Sequence, residues 1–184
     1  MRVSWQEIIE QVAHCEKCGL YQTRTHTVLG EGDPQARLLF IGEGPGREED
    51  LQGRPFVGPA GQLLDKMLFA IGLARETVYI ANIVKCRPPY NRVPTEEEAL
   101  ICLHYLRAQT ALIAPKIIVC LGATAAKYVY DPQVRITRDR GIWKQKNGVW
   151  ILPTYHPAAL LRDPGKKKEA WLDMQAVRDK LLAL

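Results

Sequence analysis

A three-layer α/β/α sandwich around a central four-stranded parallel sheet is the fold class that this sequence predicts. Two observations carry it. Short apolar runs of strand length alternate with segments of helical period, and three of the four runs are followed by glycine, asparagine or histidine loops. Parallel strands covered by helices on both faces read as such near-continuous apolar runs. With 184 residues, 47% of them hydrophobic, the chain can bury a sizeable core, and residues 1–184 are read as a single domain.

The elements follow in order. Ser4-Trp5-Gln6-Glu7 has the form of a capping box, so a helix is predicted from Trp5 to about His14, delivering Cys15 at its end. Arg37–Ile41 reads as a buried strand ending in glycines. From Ala60, Leu63, Leu64, Met67, Leu68 and Ile71 recur at helical spacing. Val78–Ala81 is the second strand. Thr95-Glu96-Glu97-Glu98 is a second capping box, opening a helix to about Ile113 that carries Cys102. Ile117–Leu121 is the third strand, with a short helix after it through Tyr130. Val149–Pro153 is the fourth, and an amphipathic helix from about Lys168 to Leu182 closes the chain.

Composition excludes some classes. No stretch approaches the ~18 apolar residues that a membrane span needs, and Met1-Arg2-Val3-Ser4-Trp5-Gln6-Glu7 has no apolar export segment. A soluble, cytoplasmic protein is expected. The net charge of +5 is a weak pointer to nucleic acid. Its distribution says more: Arg135, Arg138, Arg140, Lys144 and Lys146 face one acid, Asp139, and Arg162 with Lys166 to Lys168 forms a second cluster. Either run alone reads as a solvated loop.

Four of the five cysteines have the spacing of a metal cluster: Cys15 and Cys18 as a tight pair, then Cys86 and Cys102 with fifteen residues between them. Disulfides are disfavoured in a reducing compartment. Zinc sites usually join two short Cys pairs, whereas the second pair here is wide. Four thiolates in this arrangement suit an iron–sulfur cube, [4Fe–4S], better. Cys120, inside an apolar run, reads as a small buried hydrophobe.

The loops after the strands carry the remaining chemistry. Gly42-Glu43-Gly44-Pro45-Gly46 and Glu48-Glu49-Asp50 follow the first strand, then Gly53-Arg54-Pro55-Phe56-Val57-Gly58; Asn82 follows the second and His156-Pro157 the fourth. The carboxyl ends of strands in an open α/β sheet form its ligand crevice, so these segments should converge. The glycine loop breaks dinucleotide-fingerprint spacing. Taken singly, each residue also fits a turn, a core position or a loop. Together they offer an aromatic face, an amide, an imidazole and backbone donors, which is equipment for gripping an extrahelical base.

At these residues the chain resembles the family 4 uracil-DNA glycosylases, the iron–sulfur branch of the uracil-DNA glycosylase superfamily. The likeness spans nearly the whole chain: the four cysteines, GEGPG at 42–46, GRPFVGPAG at 53–61, NIVKCRPP at 82–89 and HPAALLR at 156–162. It implies hydrolysis of the N-glycosidic bond of uracil flipped out of DNA, leaving an abasic site for base excision repair. By that likeness Phe56 stacks on the uracil, Asn82 meets O4 and N3–H, and His156 contacts O2. The Gly42, Glu43, Gly44 and Gly46 loop adds backbone donors, and Leu160 is the wedge entering the vacated helix. Cys15, Cys18, Cys86 and Cys102 hold the cluster. The better-known branch of the superfamily carries an Asp where Gly44 stands and a Tyr where Gly46 stands. Glu43 is therefore the first candidate for positioning water, with Glu49 and Asp50 behind it and Asn91 in an accessory role. Uracil-containing DNA, single- or double-stranded, is the expected partner, with the basic runs at 135–146 and 162–168 expected to supply phosphate contacts. A sliding clamp is a candidate second partner, and a monomer without membrane attachment is expected. A covalently trapped relative is disfavoured, because Cys86-Arg87-Pro88-Pro89-Tyr90-Asn91-Arg92 holds no histidine. A catalytically silent iron–sulfur DNA-binding module would not need Glu43, Phe56, Asn82 and His156 together. A zinc-dependent nucleotide-binding domain would lack iron.

Overall fold

The structure is a computed structural model and describes residues 3–184. Its elements in chain order are α1 (Trp5–Ala13), β1 (Glu31–Gly32), β2 (Leu38–Gly42), α2 (Arg47–Gln52), α3 (Pro59–Ala70), β3 (Tyr79–Asn82), α4 (Glu96–Ile113), β4 (Ile117–Leu121), α5 (Ala123–Val129), α6 (Ile136–Asp139), β5 (Lys144–Lys146), β6 (Val149–Thr154), α7 (Pro157–Arg162) and α8 (Lys167–Ala183). Both capping boxes form. The Glu7 N–H donates to Ser4 Oγ at 3.2 Å while Glu7 accepts from the Ser4 N–H at 2.6 Å, and Thr95 and Glu98 do the same at 3.2 and 2.8 Å.

The sheet has six strands in the order β1-β3-β2-β4-β6-β5. The central four are parallel, as the sequence predicts; the correction is a two- or three-residue antiparallel strand at each edge, β1 on β3 and β5 on β6. Glu31–Gly32 and Lys144–Lys146 have no apolar alternation from which a strand could be read. Short, charged edge strands of this kind also discourage further pairing.

Alternation of side chains along each strand builds two cores, one on each face. Leu39, Ile41, Tyr79, Ala81, Ile118 and Cys120 point to the face covered by α1, α4 and α5. Leu38, Phe40, Ile80, Ile117 and Val119 point to the other, against Leu64 and Leu68 of α3 and Met174 and Val177 of α8. The buried positions of α8, Ala170, Asp173, Met174 and Val177, fall on one helical stripe. The three layers are thereby closed. Among the described residues no helix is long and apolar enough to cross a membrane.

Candidate active site

From β2 the chain crosses to β3 on one side and then returns to β4 on the other, so the loops after β2 and β4 diverge and leave a crevice between them. Parallel register sets Gly42 beside Asn82, and Leu121 beside Thr154, two residues before His156. A cleft of about 650 Å³ opens there, and Glu43, Gly44, Gly46, Phe56, Asn82 and His156 all line it.

Asn82 is 2% exposed, and its amide oxygen Oδ1 is buried without a hydrogen-bond partner. An orphaned buried acceptor costs about 1–3 kcal/mol, which a ligand donor would recover. Gly42 must be glycine, because a Cβ there would lie 2.5 Å from both Asn82 Oδ1 and the Phe56 ring. Phe56 itself holds a left-handed backbone, φ 51°. Arg75 locks it by donating to the Phe56 carbonyl at 2.9 Å and to the Pro55 carbonyl. Glu49 Oε1 fixes the next turn, accepting the Val57 and Gly58 N–H groups at 2.9 Å each.

The Phe56 and His156 rings stack, with centroids 5.5 Å apart at 28°. His156 caps α7: its Nδ1 accepts the Ala158 N–H at 3.1 Å. A ring nitrogen that accepts carries no proton, so the proton sits on Nε2 as a donor. Burial, aided by the nearby Arg162 and opposed by Glu49, pulls the imidazole down to about 4. The ring is neutral at pH 7.

Glu43 and Thr124 join across the crevice, with Thr124 Oγ1 donating to Glu43 Oε2. Thr124 lies just past the end of β4, at the one strand end where the sequence showed no polar oddity beyond Gly122. Its signal was available: every other strand of the central four delivers a polar residue at that end. Gly44 cannot carry a carboxylate, since a Cβ would approach Val84 Cγ2 to 2.7 Å. Asp50 belongs elsewhere; it is 3% exposed and its Oδ1 accepts the Thr25 and His26 N–H groups at 2.8 and 3.3 Å. Asn91 lines the cleft with its Oδ1 held by Arg87 Nε at 2.7 Å.

Two expectations are corrected. Leu160 is 1% exposed, packed with Tyr155 and Ala170, so its side chain is interior; the exposed leucine is Leu161, at 45%. The run at 135–146 is largely neutralised: Arg138 pairs with Asp139 at 2.7 Å, Arg140 with buried Asp173 at 2.6 Å and Lys144 with Asp131 at 2.5 Å. Arg162, by contrast, lines the cleft.

Cys15, Cys18, Cys86 and Cys102 line a second cavity with Val12, Leu20 and Tyr105, behind Asn82 on the α4 side of the sheet. Among the described residues, no three His, Cys, Asp or Glu side chains converge tightly enough to grip one metal ion. Four thiols spread around an apolar cavity fit a polynuclear cluster better than a single zinc. N–H groups already address the sulfurs: Lys85 donates to Cys102 Sγ at 3.3 Å and Arg24 to Cys86 Sγ at 3.4 Å. Burial pushes the Cys102 thiol up to about 11, so the thiolate form there needs a cationic partner. Cys120, wholly buried in β4, is outside this group.

Comparison with known proteins places this geometry. A family model described as the Uracil DNA glycosylase superfamily matches residues 29–175. A type-4 uracil-DNA glycosylase of Thermotoga maritima is 50% identical over 167 residues, covering 88% of this chain and 86% of that one. Those of Sulfurisphaera tokodaii and Archaeoglobus fulgidus are 46% and 44% identical, covering 96% and 95% of this chain and 84% and 92% of theirs. With its cleft and its sequence in agreement, the chain belongs to the uracil-DNA glycosylase superfamily, in the type-4 branch.

Proposed function

We infer that the cleft is where this uracil-DNA glycosylase holds a uracil turned out of DNA and hydrolyses its N-glycosidic bond, leaving an abasic site. The observation that carries this is the orphaned Asn82 Oδ1. Uracil presents N3–H as a donor to such an acceptor. Cytosine presents a bare N3 acceptor there, which would leave both groups unpaired in a dry site. Phe56 supplies the face on which the base rests.

As the bond breaks, negative charge collects on the leaving base. The His156 Nε2–H is a neutral donor toward O2, and a donor of this kind is typically worth ~3–4 kcal/mol at the transition state. The sugar is left cation-like. Glu43, held by Thr124, is the carboxylate placed to stabilise that charge and to orient water toward it. A strong base is unnecessary in such a dissociative order. Arg162 at the cleft and exposed Leu161 on the same helix are suited to a phosphate and to the space the uracil vacates.

Cys15, Cys18, Cys86 and Cys102 would hold a [4Fe–4S] cluster, which fixes the chain after α1 and the Cys86 loop against α4; the shared cavity and the two N–H···S donors support this. Iron content and visible absorbance of the purified protein test it. Its role is structural, so anaerobic reduction or oxidation that spares the cluster should leave turnover unchanged.

The activity is tested with a labelled oligonucleotide bearing one uracil, followed by alkaline cleavage. Strand scission at the uracil, absent from thymine and cytosine controls, is expected. Binding without scission would instead favour the silent DNA-binding module.

A further inference from the structure

Lys85 is the one buried basic residue among the described residues, 1% exposed between the thiol cavity and the cleft. Its contacts run both ways. The ammonium donates to the main-chain carbonyl of Asn82 at 3.0 Å, the Lys85 backbone N–H donates to Cys102 Sγ at 3.3 Å, and the Lys85 backbone carbonyl accepts the Val28 N–H at 2.7 Å. No carboxylate answers the charge: the buried acids are committed elsewhere, Glu49 and Asp50 to backbone N–H groups and Asp173 to Arg140. An ammonium taken out of water with one carbonyl as its partner carries a penalty of several kcal/mol unless an anion stands near. The anion available is the set of thiolates around the cavity that Lys85 lines.

We propose that Lys85 is a positioning residue joining the two sites: its charge balances the thiolate-held cluster, and its hydrogen bond to the Asn82 carbonyl fixes the direction in which the Asn82 amide faces the base. The inference rests on the cluster reading above. It gives that cluster a function in excision without any electron transfer: the cluster holds Lys85, and Lys85 holds Asn82. Only Ile83 and Val84 separate Asn82 from Lys85, and Lys85 adjoins Cys86 and donates its N–H to Cys102 Sγ, so a shift at either cysteine is passed toward Asn82 through Lys85.

Two variants of the holoprotein separate charge from tether. Lys85→Met removes both, whereas Lys85→Gln removes the charge and keeps an amide donor for the Asn82 carbonyl. Both are expected to move the cluster potential to more negative values, because a neighbouring positive charge favours the reduced form. Single-turnover excision should fall about tenfold to a hundredfold in Lys85→Met, the range for small misplacement of a working group, and stay within about threefold of wild type in Lys85→Gln. An unchanged potential in Lys85→Gln, or wild-type excision by Lys85→Met, overturns the proposal. Should Lys85→Met fail to fold, Lys85→Gln decides: a negative shift with near-normal excision supports it, and either departure overturns it. Iron content and uracil excision of the wild type are read in the same series, so failure of the cluster or of the activity itself is distinguished from failure of the link.

Discussion

His156 Nδ1 accepts the backbone N–H of Ala158 at 3.1 Å, and that bond decides which imidazole nitrogen is left for the cleft. Protonating the ring would turn this acceptor into a donor facing a donor. The folded ring is held at about 4 against an ordinary 6.5, so excision should be flat from about pH 8 to about pH 5 and fall as pH drops through about 4. Stability has its own window. Above 6.5 neither state is protonated and the full stability is present; between 6.5 and 4 the unfolded chain takes up a proton that the folded one refuses, and stability declines. The loss is at most about 3 kcal/mol, reduced because one face of the ring meets the cleft. Melting temperatures measured across that range should show the slope in wild type and lose it in His156→Asn.

Glu43 and Thr124 act as a pair across the crevice. Glu43→Gln should lower single-turnover excision by about a hundredfold to a thousandfold, with melting temperature nearly unchanged. Thr124→Val should cost about tenfold, and the double variant should lose less than the product, since the threonine acts through the carboxylate. Near-normal rates in Glu43→Gln would move the water-positioning role elsewhere.

Asn82→Ala should separate function from stability. It deletes an orphaned acceptor, so the melting temperature should hold or rise although a buried side chain is lost. Excision should drop at least about a hundredfold, and the preference for uracil over cytosine should shrink with it. Quantified excision from paired uracil and cytosine oligonucleotides provides the check.

Much of this was legible in the residues, for physical reasons. The four parallel strands show because each is an apolar run buried on both faces, and the long helices show because Ser4 and Thr95 open capping boxes. Glu43, Phe56, Asn82 and His156 could be gathered because strand ends share one edge of the sheet. Thr124 is hard to single out because a threonine two residues past Gly122 looks like helix entry; the polar ends of the other central strands hint at it, and its partner across the crevice identifies it. Leu160 and Leu161 are indistinguishable in sequence; packing against Tyr155 and Ala170 decides which one is inside. The basic run at 135–146 looked like a phosphate surface because its acids, Asp131 and Asp173, lie outside it in the chain.

That last point separates two arginines. Arg140 is tied to Asp173 Oδ1 and Oδ2 at 2.6 and 2.9 Å, and Asp173 also accepts from Thr154 at 2.6 Å. Arg140→Ala should destabilise the fold by about 3–5 kcal/mol by stranding a buried carboxylate, without changing the salt dependence of DNA binding. Arg162→Ala should do the reverse, leaving the melting temperature intact and reducing the salt slope by about one. Denaturant titration and binding across a salt series distinguish them.

The two leucines of α7 divide in the same way. Leu160→Ala removes a side chain that is 1% exposed and should cost about 2–5 kcal/mol of stability, with the surviving folded fraction still excising uracil. Leu161→Ala removes a 45% exposed side chain and should leave stability within about 0.5 kcal/mol. Its effect should appear on duplex DNA, where an apolar side chain filling the vacated space opposes return of the base to the stack. Single-stranded substrate has no stack to refill, so the Leu161→Ala loss should be confined to duplex. Equal losses on both substrates would remove Leu161 from that role, and a loss confined to Leu160→Ala at fixed folded fraction would return the role to the buried residue through a movement of α7.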